Sequence, residues 1–149
     1  MVTGRSITRK NVGRRNGIYE KKAILEPLTG RESMLMKCIW DNTEPISAAE
    51  IQKKCLEVYD VHLERSTITT FILHLRQKGF VACEKKGQIV YYSAMVKEED
   101  YVQDQTEEFT NFWFKGSLSG LLSAFCGKKG REISQEEKER IQEIIDHLE

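Results

Sequence analysis

No apolar run in these 149 residues approaches the ~18 to 20 needed to cross a bilayer, which excludes a membrane-spanning helix. Met1-Val2-Thr3-Gly4-Arg5 leads into no apolar stretch, so a secretory signal is lacking and the cytoplasm is the expected compartment. None of the four cysteines, Cys38, Cys55, Cys83 and Cys126, has the CxxC or CxC spacing that brings thiolates onto one metal, so no metal site is expected. The first three lie in apolar periodic stretches, where a reduced thiol acts as a small hydrophobe. No serine or cysteine carries the motif of an activated nucleophile, and His62, His74 and His147 fall on different elements. Glu98-Glu99-Asp100 reads as the negative first turn of a helix rather than a catalytic pair. Neither an enzyme nor a bound cofactor is expected.

What is present is a soluble composition, 40% apolar and 31% charged, in a length that suits one small domain with an appendage. The formal net charge of zero conceals an asymmetry. Residues 1–22 carry Arg5, Arg9, Lys10, Arg14, Arg15, Lys21 and Lys22 against Glu20 alone, a net of +6, which leaves −6 on the remainder. A basic arm, residues 1–26, thus precedes an acidic body. With Gly4, Gly13, Gly17 and few large apolar groups it cannot bury enough surface to fold alone, and it is expected to be disordered. It is either a solvated tail or a source of extra phosphate or minor-groove contacts.

The folded part starts after Pro27, where Thr29-Gly30-Arg31-Glu32 forms a capping box ahead of the apolar Met34-Leu35-Met36-Lys37-Cys38-Ile39-Trp40. A second box, Ser47-Ala48-Ala49-Glu50, opens a helix that turns Ile51, Cys55, Leu56 and Tyr59 inward. A third helix, from Glu64 to Lys78, carries Ile68, Phe71, Ile72 and Leu75 on one stripe and is stopped by Gly79. Its other face is polar. The period then changes to alternation in Phe80-Val81-Ala82-Cys83-Glu84 and Ile89-Val90-Tyr91-Tyr92-Ser93, a β-hairpin whose tip holds Lys85 and Lys86. Three helices and a hairpin in this order predict a winged helix over residues 27–97, with the third helix as the DNA reader. The fold class is therefore mainly α with a small β-hairpin (α+β).

Residues 98–149 return to helical spacing. Tyr101, Phe109, Phe112 and Trp113 lie before Gly116, Leu118, Leu121, Leu122 and Phe125 after it, and Ile141, Ile144, Ile145 and Leu148 on a last helix capped by Ser134. These groups are too few for a core of their own. Burial against a second copy predicts a helical dimerisation region, the alternative being packing back onto the winged helix.

The ordered set Leu28-Thr29-xx-Glu32, Ile39-Trp40-Asp41, Ser47-Ala48-xx-Ile51, Thr67-Ile68-xx-Phe71-Ile72-xx-Leu75-xx-Lys78-Gly79-Phe80 and Tyr91-Tyr92-Ser93 with Lys97-Glu98-Glu99-Asp100-Tyr101 resembles the penicillinase-repressor family, often called BlaI/MecI, with the copper-responsive CopY repressors as relatives. The resemblance covers about Leu28 to Leu148. It implies a homodimeric repressor on a palindromic operator in double-stranded DNA. It also implies relief when a membrane sensor protease cuts the tail before a phenylalanine, here between Ala124 and Phe125, where familiar members carry Asn in place of Ala124. The paired CxC motifs of copper-responsive members are absent, which argues against direct copper sensing.

Hydrogen-bonding side chains are what a reader helix needs in the major groove, and Arg65, Ser66, Thr67, Thr69, Thr70 and His74 qualify. Familiar members place a basic residue where this chain has Thr69 or His74. Ser47 at the positive end of the second helix and Lys85 and Lys86 on the wing are candidate phosphate ligands. Any solvated helix shows a similar face, and wing lysines also protect a sheet edge. The competing functions are a winged helix that binds a protein partner, and a thiol- or metal-responsive regulator using Cys126.

Overall fold

A computed structural model of the chain describes residues 10–15, 18–22, 25–127 and 132–148. Short elements order themselves here largely through local caps. Helix α1 (Gly30–Trp40) starts at a true capping box: the Glu32 N–H donates to Thr29 Oγ1 at 3.3 Å, and the Thr29 N–H donates to Glu32 Oε2 at 3.0 Å. Strand β3 (Ile46–Ser47) leads into α2 (Ala48–Tyr59), whose box pairs Ser47 with Glu50, and Asp60 ends the helix in the left-handed region at φ 52°. Helix α3 (Arg65–Gln77) ends in a Schellman motif: the Phe80 N–H reaches Leu75 O at 2.9 Å and the Gly79 N–H reaches Arg76 O at 3.0 Å. Gly79 takes φ 81° there, a conformation a side chain would strain.

Strands β4 (Val81–Lys86) and β5 (Ile89–Ala94) form an antiparallel hairpin, with Lys86 opposite Ile89 next to the turn. β3 joins its other side, giving the order β3-β5-β4 with Ile46 opposite Tyr92 and Ser47 opposite Tyr91. Three helices and this hairpin make the expected winged helix. Its core holds Leu35, Met36, Ile46, Ile51, Cys55, Ile68, Leu75 and Phe80, all fully buried. Leu56, expected inside, is exposed, because the inward stripe of α2 is carried by Ile51 and Cys55, with Ala48 and Tyr59 packed half-buried against the core.

The chain divides into two compact units, the first running to Thr106 and the second starting at Glu107. The division falls inside α4 (Glu98–Phe114), later than the boundary after residue 97 that composition suggests. Tyr101 is the physical reason. Grouped in sequence with the dimerisation residues, it belongs instead to the first unit: its ring lies 5.9 Å from that of Trp40 and 5.6 Å edge-on from that of Phe80. Its hydroxyl accepts from the Leu28 N–H at 2.9 Å.

The second unit holds the C-terminal part of α4, α5 (Leu118–Cys126) and α6 (Gln135–Asp146), the last two capped by Ser117 and Ser134. No described residue of it is buried. No described helix is long and apolar enough to cross a membrane.

Ahead of α1, β1 (Lys10–Arg15) and β2 (Ile18–Lys22) pair as an antiparallel ladder in the stretch expected to be disordered. The signal passed over in the sequence is Asn16-Gly17, the strongest two-residue hairpin connection, between the two strands. Residues 1–9, 16, 17, 23 and 24 of the arm lie outside the described residues.

Candidate nucleic-acid interface

The inward stripe of α3, Ile68, Ile72 and Leu75, is buried, which turns the opposite face to solvent. Arg65, Ser66, Thr69, Thr70 and His74 are exposed on it and Thr67 is half-buried, so the structure brings the predicted reader residues together on one helix. Arg65 is positioned by α2: its Nε and Nη2 donate to Gln52 Oε1 at 3.3 and 3.2 Å, while Gln52 Nε2 donates to Leu63 O at 2.8 Å. The Thr69 hydroxyl donates to Arg65 O at 2.9 Å and the Thr70 hydroxyl to Ser66 O at 3.0 Å. The His74 ring stands edge-on to Phe71 at 6.2 Å.

Lys85 and Lys86 are exposed on β4 beside the wing turn, and Lys86 Nζ lies 5.9 Å from the Tyr91 ring centroid. Gly87, at φ 62°, makes that turn. Ser47 stands apart from the set. Its hydroxyl accepts from the Glu50 N–H at 3.3 Å and donates to Glu50 Oε2 at 2.8 Å, and the same carboxylate accepts from the Ser47 N–H. The positive end of α2 is thus already met by an anion of the chain's own. A phosphate there would face a carboxylate.

Sequence reasoning missed two residues of this face. Gln52, the prop of Arg65, carries no local signal. Leu73 is 49% exposed among the polar groups of α3, and its place on the helix stripe opposite the core could have revealed it.

The C-terminal end of α3 is tied down by Lys78, whose Nζ donates to Glu32 Oε2 at 2.7 Å and to Pro27 O at 3.2 Å. Burial alone would push the Glu32 carboxyl pKa up. The Lys78 hydrogen bond, the Thr29 N–H and the charges of Lys78 and His74 outweigh it, and the pKa falls below the ordinary carboxylate value. A depressed folded pKa stabilises the fold at pH above the unfolded value, and that contribution is lost as pH falls through the folded one. Lys78→Met leaves Glu32, whose side chain is only 4% exposed, without its cation, so a cost of about 2 kcal/mol at neutral pH is expected. Burial then dominates and raises the carboxyl pKa, so the deficit shrinks on acidification. Thermal unfolding of both proteins from about pH 7 down to about pH 4 checks this, and a deficit constant with pH refutes it.

Cys38 and Cys55 face each other in the core with sulfurs 3.9 Å apart. Burial, with the neighbouring Cys55, pushes the Cys38 thiol up to about 12, which keeps it protonated and unreactive. Cys83 and Cys126 are half-buried. No group of three or more metal-ligating side chains occurs among the described residues.

The family model described as Penicillinase repressor matches residues 28–147. The penicillinase repressor of Bacillus licheniformis is 25% identical over 119 residues, covering 80% of this chain and 89% of that protein. The methicillin resistance regulatory protein MecI of Staphylococcus aureus is 33% identical over 79 residues, 53% of this chain and 63% of that protein. Among solved structures, the solution structure of the Bacillus licheniformis BlaI monomeric form in complex with the blaP half-operator is similar over 52% of this chain and 90% of its own, at 27% identity and a TM-score of 0.42. The six α-helices among the described residues and the wing fall within the matched residues, and the chain belongs to the penicillinase repressor family.

Proposed function

We propose that the chain is a homodimeric transcriptional repressor that sets α3 in the major groove of a dyad operator while the wing lysines hold adjacent phosphates. The observation that carries this reading is the exposed face of α3, presented by a buried stripe behind it and followed in the chain by a wing with exposed Lys85 and Lys86, inside the residues that match a repressor family. The relatives' names, a penicillinase repressor and a methicillin resistance regulatory protein, support it. Such a protein works in the cytoplasm, on DNA.

Pairing is assigned to residues 107–149. Phe109, Phe112, Trp113, Leu118, Phe125, Ile144, Ile145 and Leu148 are exposed in the single chain, and Leu121, Leu122 and Ile141 are half-buried. Large apolar groups left exposed in this number mark an interaction site. A second copy is the partner that a dyad operator calls for. Relief by proteolysis at Ala124–Phe125 fits the same scheme: both residues are exposed in the last turns of α5, and the cut detaches α6 with its apolar stripe.

Footprinting on the DNA upstream of the protein's own coding sequence, at two salt concentrations, tests the reading. A protected dyad weakened by Arg65→Ala is expected. No preference over random DNA moves the assignment to a protein-binding winged helix.

The basic ribbon β1-β2 is assigned to neutralising further phosphates. Removing residues 1–24 is expected to flatten the dependence of log affinity on log salt by about 0.9 for each phosphate the arm neutralises. An unchanged slope shows a solvated tail.

A further inference from the structure

Resting on the reading of α3 as the DNA reader, we infer that it selects its operator largely through thymine C5-methyl groups, with Thr69, Thr70 and Leu73 as the specificity-determining residues. A threonine in the groove has two ways to read a base, by its hydroxyl or by its methyl. In both threonines here the hydroxyl proton is committed to the helix: Thr69 Oγ1 donates to Arg65 O at 2.9 Å and Thr70 Oγ1 to Ser66 O at 3.0 Å, the back-bonding of threonine four residues along a helix. Donation to a guanine or thymine oxygen would require breaking that bond. What remains for an incoming duplex is the methyl, together with an oxygen lone pair that can only accept, and the exposed Leu73 beside them makes the methyl the contact these residues share.

Leu73 extends the same surface. It lies four residues beyond Thr69 and three beyond Thr70, hence on the same stripe of α3, and is 49% exposed beside them. A large aliphatic side chain at that position has no hydrogen bond to offer any base edge. In the major groove the one apolar feature it meets is the thymine methyl. Arg65, one turn earlier and held by Gln52, supplies the polar contact at the helix start. The preferred half-site therefore combines thymines under the middle of α3 with a guanine edge or phosphate at its N-terminus.

The test uses the full chain and the duplex it selects from a randomised pool, resynthesised with deoxyuridine in place of thymidine at each position in turn. Deoxyuridine differs only by the missing methyl. At two or more positions per half-site affinity is expected to fall roughly fourfold, the worth of one buried methyl. Thr70→Val, which keeps a methyl and loses the hydroxyl, is expected to bind within about twofold of the parent. Thr70→Ser, which keeps the hydroxyl, is expected to lose roughly fourfold and to become insensitive to deoxyuridine at one position. Selective binding with no deoxyuridine penalty, or Thr70→Val as weak as Thr70→Ser, overturns the inference while leaving the repressor reading intact. Failure to select any sequence overturns the repressor reading itself.

Discussion

Replacing Phe112 and Trp113 together by lysine is expected to yield a folded monomer that binds a dyad operator at least about a hundredfold more weakly, with its affinity for an isolated half-site unchanged. The two rings lie 4.9 Å apart and are 76% and 65% exposed in the single chain. Nothing in the core rests on them, so the substitutions should change stability by less than about 0.5 kcal/mol. Their effect is expected to fall instead on the proposed association. Lysine in the centre of an apolar contact must either be desolvated or hold the surfaces apart, and both outcomes remove the second half-site from the same complex. Sedimentation equilibrium alongside titration of dyad and half-site duplexes checks it. A double variant that still sediments as a dimer and keeps its operator affinity places the pairing surface elsewhere.

Phe80→Ala is expected to destabilise the first unit by about 4 kcal/mol, a large share of what a domain of this size has. Phe80 has no exposed surface and sits where three elements converge: it follows the Schellman turn of α3, precedes β4, and stacks edge-on to Tyr101 of α4. Its carbonyl also accepts from the Met95 N–H at 2.8 Å, beyond the end of β5. Removing the ring leaves a cavity bounded by α3, the wing and α4 together, which cannot collapse without moving α3. Fluorescence of Trp40 in a Trp113→Phe background isolates the unfolding of this unit, because Trp40 donates to Val96 O at 2.8 Å and stacks on Tyr101 within it. A loss under about 1 kcal/mol would show that the site repacks.

The features legible in the residues are those whose partners lie within a turn or two. Both capping boxes close over three residues, so Thr29 with Glu32 and Ser47 with Glu50 announced the starts of α1 and α2. Gly79 announced the end of α3, and the switch from helical to alternating spacing announced the wing. The exposed polar face of α3 followed from its buried stripe, which is a matter of period alone. Local reasoning failed where two local signals competed. Charge and glycine content outweighed Asn16-Gly17, and β1 with β2 went unrecognised. It failed again where an element was too short to have a period, as with β3, whose two residues are specified by pairing with Tyr91 and Tyr92.

By itself, then, the sequence determined a three-helix winged domain with a polar face on its third helix, a basic arm and an apolar tail, because caps, turns and amphipathic periods are written in neighbouring residues. Only the tertiary structure decided that Tyr101 serves the winged helix, that Lys78 neutralises a carboxylate 46 positions away, and that Gln52 holds Arg65. It also decided that the threonine hydroxyls of α3 donate to its own backbone. The first group depends on which residues the chain's closure brings into contact, and the second on which of two available partners a hydroxyl takes. Neither choice leaves a mark in spacing or composition.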